Sequence, residues 1–197
     1  SARAHGLAGA FFTTDLSVAN TSGEDVTAKI QFLGNNQDGR TGPSKVVSVE
    51  AGRTVSYHDV LATLFGVSED WGAIRITANS ASLAIHGQTS TAGPTGGSYG
   101  QSVSASASKD LVRNGLQHTI IGIREDVSFR TNLILANGTD QPLEIDVSLL
   151  SNGGLELGAR RVPLPPLGMT QLTQVVRQLG IDQNLETAQL IVSTPTP

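Results

Sequence analysis

Cysteine is absent from the 197-residue chain, which excludes disulfides, thiolate metal sites and a cysteine nucleophile in one step. Lysine is scarce, at Lys29, Lys45 and Lys109 only, and the balance of 13 basic against 17 acidic residues leaves a net charge of −4. No basic surface exists to neutralise a phosphate backbone, so nucleic acid is excluded as an expected partner. No apolar run approaches the roughly 20 residues that span a bilayer as a helix. Aromatic residues are 4% of the chain, which leaves little material for a ligand-stacking platform. The four histidines, His5, His58, His86 and His118, follow no metal-ligand spacing, and no cofactor motif is present.

What the chain has instead is small and turn-forming residues: 22 glycines, 8 prolines and many Ser, Thr and Asn. Such a balance suits short strands joined by many turns. It also has a repeat. FFTTDLSVAN (11–20) returns as SFRTNLILAN (128–137), so that at an offset of 117 Phe12 meets Phe129, Thr14 meets Thr131, Leu16 meets Leu133 and Asn20 meets Asn137. Asp15 meets its near isostere Asn132. The apolar beat continues through VTAKIQFL and LEIDVSLL with a period of two, the mark of a strand with one buried face.

The intervening TSGED (21–25) and GTDQP (138–142) predict that each unit begins as a β-hairpin. Asp38-Gly39 and Asn152-Gly153 predict the next turns, followed by third strands at KVVSVE and ARRVPLP. AGRTVSYHDVLATLFGV (51–67) and LGMTQLTQVVRQLGI (167–181) share a Gly-x-Thr start and change to helical spacing. A short helix is expected in each, with Ser56 and Asp59 as a capping box in the first, Thr173 as the cap in the second, and Gly66 and Gly180 as closing residues. Strands WGAIRITA and ETAQLIVS follow, aligned through Ala73 and Ala188. ASLAIHGQTS adds a strand to the first copy alone, and QHTIIGI precedes only the second.

The expected fold class is therefore all-β: two similar antiparallel β-sandwich domains in tandem, each with one short helix. The first spans 1–107, with a Gly/Ser-rich linker at 92–110 in which SYGQSVSA is a candidate edge strand. The second spans 108–197 and lacks its last strand. Two strand positions are expected to be unfilled within the chain, to be supplied by a longer parent chain or by another segment.

Candidates for chemistry are few, and no catalytic, cofactor-binding or metal-binding residue is assigned. His58 beside Asp59 pairs a base with an orienter on one reading, and marks a helix N-terminus on the favoured one. NNQDGR lacks the acidic alternation and distal Glu of a calcium loop, and a turn explains it. Asn20-Thr21-Ser22 and Asn137-Gly138-Thr139 fit the glycosylation pattern, although an Asn that bonds its own turn explains both better. Asp15 and Asn132 are expected to make a recurrent backbone contact. Trp71, Tyr57 and Tyr99 are the residues assigned to ligand binding, with carbohydrate as the ligand class.

At FxTDLSVAN and FRTNLILAN, followed by the alternating strand, the AGRT or LGMT turn and the helix ending in LFG or QLG, the chain resembles a repeated β-sandwich module. That module belongs to secreted and surface proteins of environmental bacteria, often in tandem and with no characterised catalytic activity. The TDLSVANTSGEDVTAKIQF segment is also similar to small β-sandwich proteins related to the sensory rhodopsin transducer. The resemblance implies a sandwich and an extracellular or cell-surface setting, and transfers no site residues. The expected function is a non-enzymatic structural or adhesive module that associates with itself or with neighbouring domains, assembling into a filament by strand complementation between subunits. The alternative is a carbohydrate-binding module of a larger secreted protein.

Overall fold

The period-two apolar pattern becomes strand pairing along the chain. The computed structural model describes residues 1–6 and 9–195; the fold is all-β, with antiparallel sheets and two short helices. The chain divides into two units, Ser1–Ala107 and Ser108–Pro197.

The first unit contains β1 (Ala2–His5), β2 (Phe11–Asn20), β3 (Val26–Gly34), β4 (Ser44–Val49), β5 (Thr54–Tyr57), α1 (Val60–Phe65), β6 (Asp70–Ala78), β7 (Leu83–Ala92) and β8 (Ser98–Ser104). Their order is β4-β3-β6-β1-β2-β7-β8, with β5 also beside β2. The short β1 joins the two arms, since Ala2 and Arg3 pair with Trp71 and Asp70 of β6 while Ala4 and His5 pair with Phe12 and Phe11 of β2. Leu16 and Val18 of β2 meet Ile30 and Phe32 of β3, Val49 of β4, and Val60 and Leu61 of α1 in one buried cluster.

The second unit contains β9 (Gln117–Glu125), β10 (Leu133–Ala136), β11 (Leu143–Ser151), β12 (Glu156–Leu164), β13 (Met169–Leu172), α2 (Val175–Gln178) and β14 (Leu185–Ser193). The order β12-β11-β14-β9 repeats β4-β3-β6-β1, and β10-β13 repeats β2-β5. Its core gathers Leu133, Leu135, Ile145, Val147, Val175, Val176 and Leu190, among others. No described strand of this unit corresponds to β7 or β8.

The expected opening hairpins do not form. β2 pairs with β1, β5 and β7, whereas β3 pairs with β4 and β6. Side by side in one sheet, the apolar faces of β2 and β3 would share a layer with nothing opposite; in separate arms each helps to bury the other. TSGED is thus a crossing between arms, fixed by Asn20. Asn20 is 2% exposed; its Nδ2 donates to the carbonyls of Glu24, Val49 and Glu50 at 2.7, 3.0 and 3.3 Å, and its Oδ1 accepts from the backbone N–H and hydroxyl of Ser22. Asn137, 0% exposed, repeats this with the carbonyls of Gln141 and Pro165 and with Thr139. Both amide nitrogens are committed, so neither is a glycan acceptor in the folded chain.

Register corrects the alignment of the two copies. Leu16↔Tyr57 and Leu133↔Leu172 make Tyr57 equivalent to Leu172, which shifts the shared Gly-x-Thr by one residue. Gly52 (φ 67°) then corresponds to Leu167 (φ 45°), and both hold the left-handed conformation. The strand position expected to be unfilled at the front of the first unit is taken by β1 (Ala2–His5), and the candidate edge strand in the Gly/Ser-rich linker forms as β8.

Asn137→Ala leaves two carbonyls and an amide without their partner in a buried site. It should cost about 2–3 kcal/mol in denaturant unfolding, and Asn137→Asp should fare no better because a carboxylate cannot donate.

Candidate functional site at the strand edges

Polar residues that the repeat carries twice are the natural candidates for chemistry, and the structure gives them backbone partners. Thr14 Oγ1 accepts the Ala2 N–H at 2.7 Å and donates to the Ala2 carbonyl at 3.2 Å. Thr131 does the same to Arg124, at 3.2 and 2.7 Å. Ala2 of β1 and Arg124 of β9 are therefore equivalent, and each threonine clamps the leading strand of its unit to the segment before or within the first core strand.

Asp15 and Asn132 serve the helices. Neither helix is capped by its own first residues: Ser56 and Thr173 lie before Asp59 and Gln174, which occupy the cap positions with φ 45° and 54° and make no side-chain cap bond. Left-handed backbone at a non-glycine residue costs about 1–2 kcal/mol. An acceptor from the first core strand offsets it, with Asp15 Oδ1 taking the Asp59 N–H at 2.9 Å and Asn132 Oδ1 taking the Gln174 N–H at 3.1 Å. Gly66 and Gly180 close the two segments in the left-handed region, as their chemistry suggested.

The leading strand is also tied to the helix by charge, with polarity reversed between units. Arg3 Nε meets Asp59 Oδ2 at 3.0 Å. At the position equivalent to Arg3, Glu125 is 1% exposed; its Oε1 accepts the Arg177 N–H at 3.2 Å and lies 3.7 Å from Arg177 Nε. The strand position is equivalent in the two units, whereas its partner is the cap residue Asp59 in the first and Arg177, inside the helix, in the second.

His58 faces Asp15 at 3.0 Å rather than pairing with Asp59, and it is exposed. The Asp59 amide holds the Asp15 carboxyl below its ordinary value, aided by His58 and opposed by partial burial. Among the described residues no group of three or more His, Cys, Asp or Glu could hold a metal ion. Asp38 accepts the Arg40 N–H in the NNQDGR turn. GGSYG (96–100) has the spacing of a nucleophile elbow, but Ser98 starts a strand, without the strand-turn-helix context that such an elbow requires.

The assigned ligand-binding aromatics fall on three strands. Tyr57 on β5 packs against the first core, and its burial raises the phenol pKa. Trp71 on β6 and Tyr99 on β8 are 42% and 61% exposed. The ring contacts among the described residues are His5 with Phe11 and Phe32 with Phe65. An open depression in the second unit is lined by Leu116, Gln117, Asp146, Ser193 and Thr194, among others.

What distinguishes the two units is their open edges. β2 pairs with β7 from Thr13 to Asn20, while its counterpart β10 pairs only with β13 among the described strands. β9 runs beside β14 from Gln117 to Glu125, while β1 pairs with Trp71 and Asp70 of β6, and among the described residues Ala73–Ala78 have no strand neighbour on that side. No protein-family model and no curated protein matches the chain.

Asp15→Asn reproduces the acceptor found at Asn132 and should stay near wild-type stability at neutral pH, while Asp15→Ala should lose about 1 kcal/mol. A carboxyl whose folded pKa is depressed stabilises above its unfolded value and loses that contribution as pH falls through the folded one. Unfolding curves for Asp15→Asn should therefore have the shallower acid limb. Arg177→Met leaves Glu125 buried without its cation and should cost about 2 kcal/mol, less than a fully buried pair because Arg177 remains 34% exposed.

Proposed function

We propose that the chain is a non-enzymatic structural module of a cell exterior, built as two β-sandwiches in tandem and assembled by pairing sheet edges between subunits. The observation behind this reading is that, among the described strands, β10 lacks the neighbour its equivalent β2 has. A strand with one open edge over an apolar core is an arrangement that proteins cover, blunt or use. The repeated polar residues support a structural role too, since Thr14, Asp15, Asn20 and their counterparts bond backbone groups within their own unit. Secreted or surface location follows the composition and the family resemblance.

Carbohydrate binding has less behind it. Tyr57 is equivalent to the core residue Leu172, and the exposed rings of Trp71 and Tyr99 stand on separate strands.

Sedimentation velocity over a wide concentration range tests the assembly. The average mass should rise with concentration and continue past the dimer, as expected of a head-to-tail contact that does not close. A monomer of constant mass would contradict it.

A further inference from the structure

The proposed assembly leaves open which edges meet. The first unit shows what an occupied β10 position looks like. There β7 lies antiparallel to β2, with Leu16↔Gly87 and Val18↔Ile85, and Leu83 and Ile85 pack against the first core. With that neighbour present, Leu16 and Val18 are 3% and 0% exposed; Leu133 and Leu135, without it, are 6% and 8%. The neighbour also governs strand length, since β2 extends over ten residues and β10 over four. On the opposite face of β10, Ile134 is 51% exposed at the position where β2 has Ser17.

A complementary edge exists at β8. It ends the strand order of the first unit, pairing among the described strands only with β7, and all seven of its residues are exposed. The pairs Gly87↔Val103 and Thr91↔Tyr99 put Val103 and Tyr99 on the core-facing side of the sheet, the side of Leu16 and Val18. Yet they are 57% and 61% exposed, so these side chains overhang with no layer opposite. β8 (SYGQSVS) and β10 (LILA) contain no charge and no proline, the usual protection of an edge. The edge strand β4 carries Lys45, and the edge strand β12 carries Arg160, Arg161 and Pro163.

We propose that β8 of a second copy of this chain occupies the open side of β10, antiparallel, with Val103 and Tyr99 over the second unit's core. The inference rests on the self-assembly reading and names its contact. One move satisfies the backbone of both edges and covers the overhanging pair. A symmetric β10–β10 contact would leave Tyr99 and Val103 uncovered. The contact is heterologous, so each copy has one donor edge and one acceptor edge, and chains of copies grow.

Because the chain has no cysteine, site-specific cross-linking tests the pairing directly. Ser102 and Ile134 lie on the same, non-core face of their strands. Full-length Ser102→Cys and Ile134→Cys proteins, mixed at a concentration where the wild type associates and treated with a short bismaleimide, should give mixed dimers severalfold above like-with-like dimers. Val103→Lys, at an exposed site, should keep its circular dichroism and raise the association midpoint by roughly tenfold or more. If association persists with no preference for mixed cross-links, or if Val103→Lys leaves the midpoint unchanged, the β8–β10 contact is wrong and self-assembly stands. A monomer at every concentration would overturn both.

Discussion

A strand in a sheet carries hydrogen-bonding groups along both edges, and each must find a partner in protein or water. That requirement explains the plan of both units. β1 is only four residues long but serves two strands, joining β6 to β2. β2 divides one edge between β1 and β5 and gives the other to β7. In the second unit the same accounting leaves one side of β10 open, and β10 shortens accordingly. The edge, more than any cluster of polar side chains, is where the two units differ in what they offer to another molecule.

Divergence between the units falls outside a small set of backbone clamps. The buried asparagine at the crossing, the threonine holding the leading strand and the acceptor beneath the helix cap are retained with the same backbone partners. Around them, the leading strand carries Arg3 in one unit and Glu125 in the other, each paired with a different position of its helix segment, and Gly52 corresponds to Leu167 at a left-handed position.

Much of this was readable in the residues. The repeat, the strands, the two short helices and the extra strand of the first copy followed from period-two alternation and its local change to helical spacing. The crossing between β2 and β3 did not, because TSGED has the composition of a hairpin turn and the decision lies in which arm covers which apolar face. The helix caps were misread for a similar reason: the acceptor for Asp59 is 44 residues away in sequence, beyond any local capping motif. Of the aromatic candidates, Tyr57 proved to be a packing residue only once register aligned it with Leu172. The candidate edge at β10 was visible as a missing repeat element, whereas the overhang of Val103 and Tyr99 on β8 required the sheet to be seen.

The central claim is that one side of β10 is free in the single chain and filled on assembly. Amide hydrogen exchange resolved by NMR measures this residue by residue. In dilute monomer, protection along Leu133–Ala136 should alternate, with every second amide exchanging fast, while β2 is protected on both edges from Leu16 to Ala19. On association the fast amides of β10 should slow and protection should spread toward Phe129. Uniform protection of β10 in the monomer, or no change on association, would contradict the account.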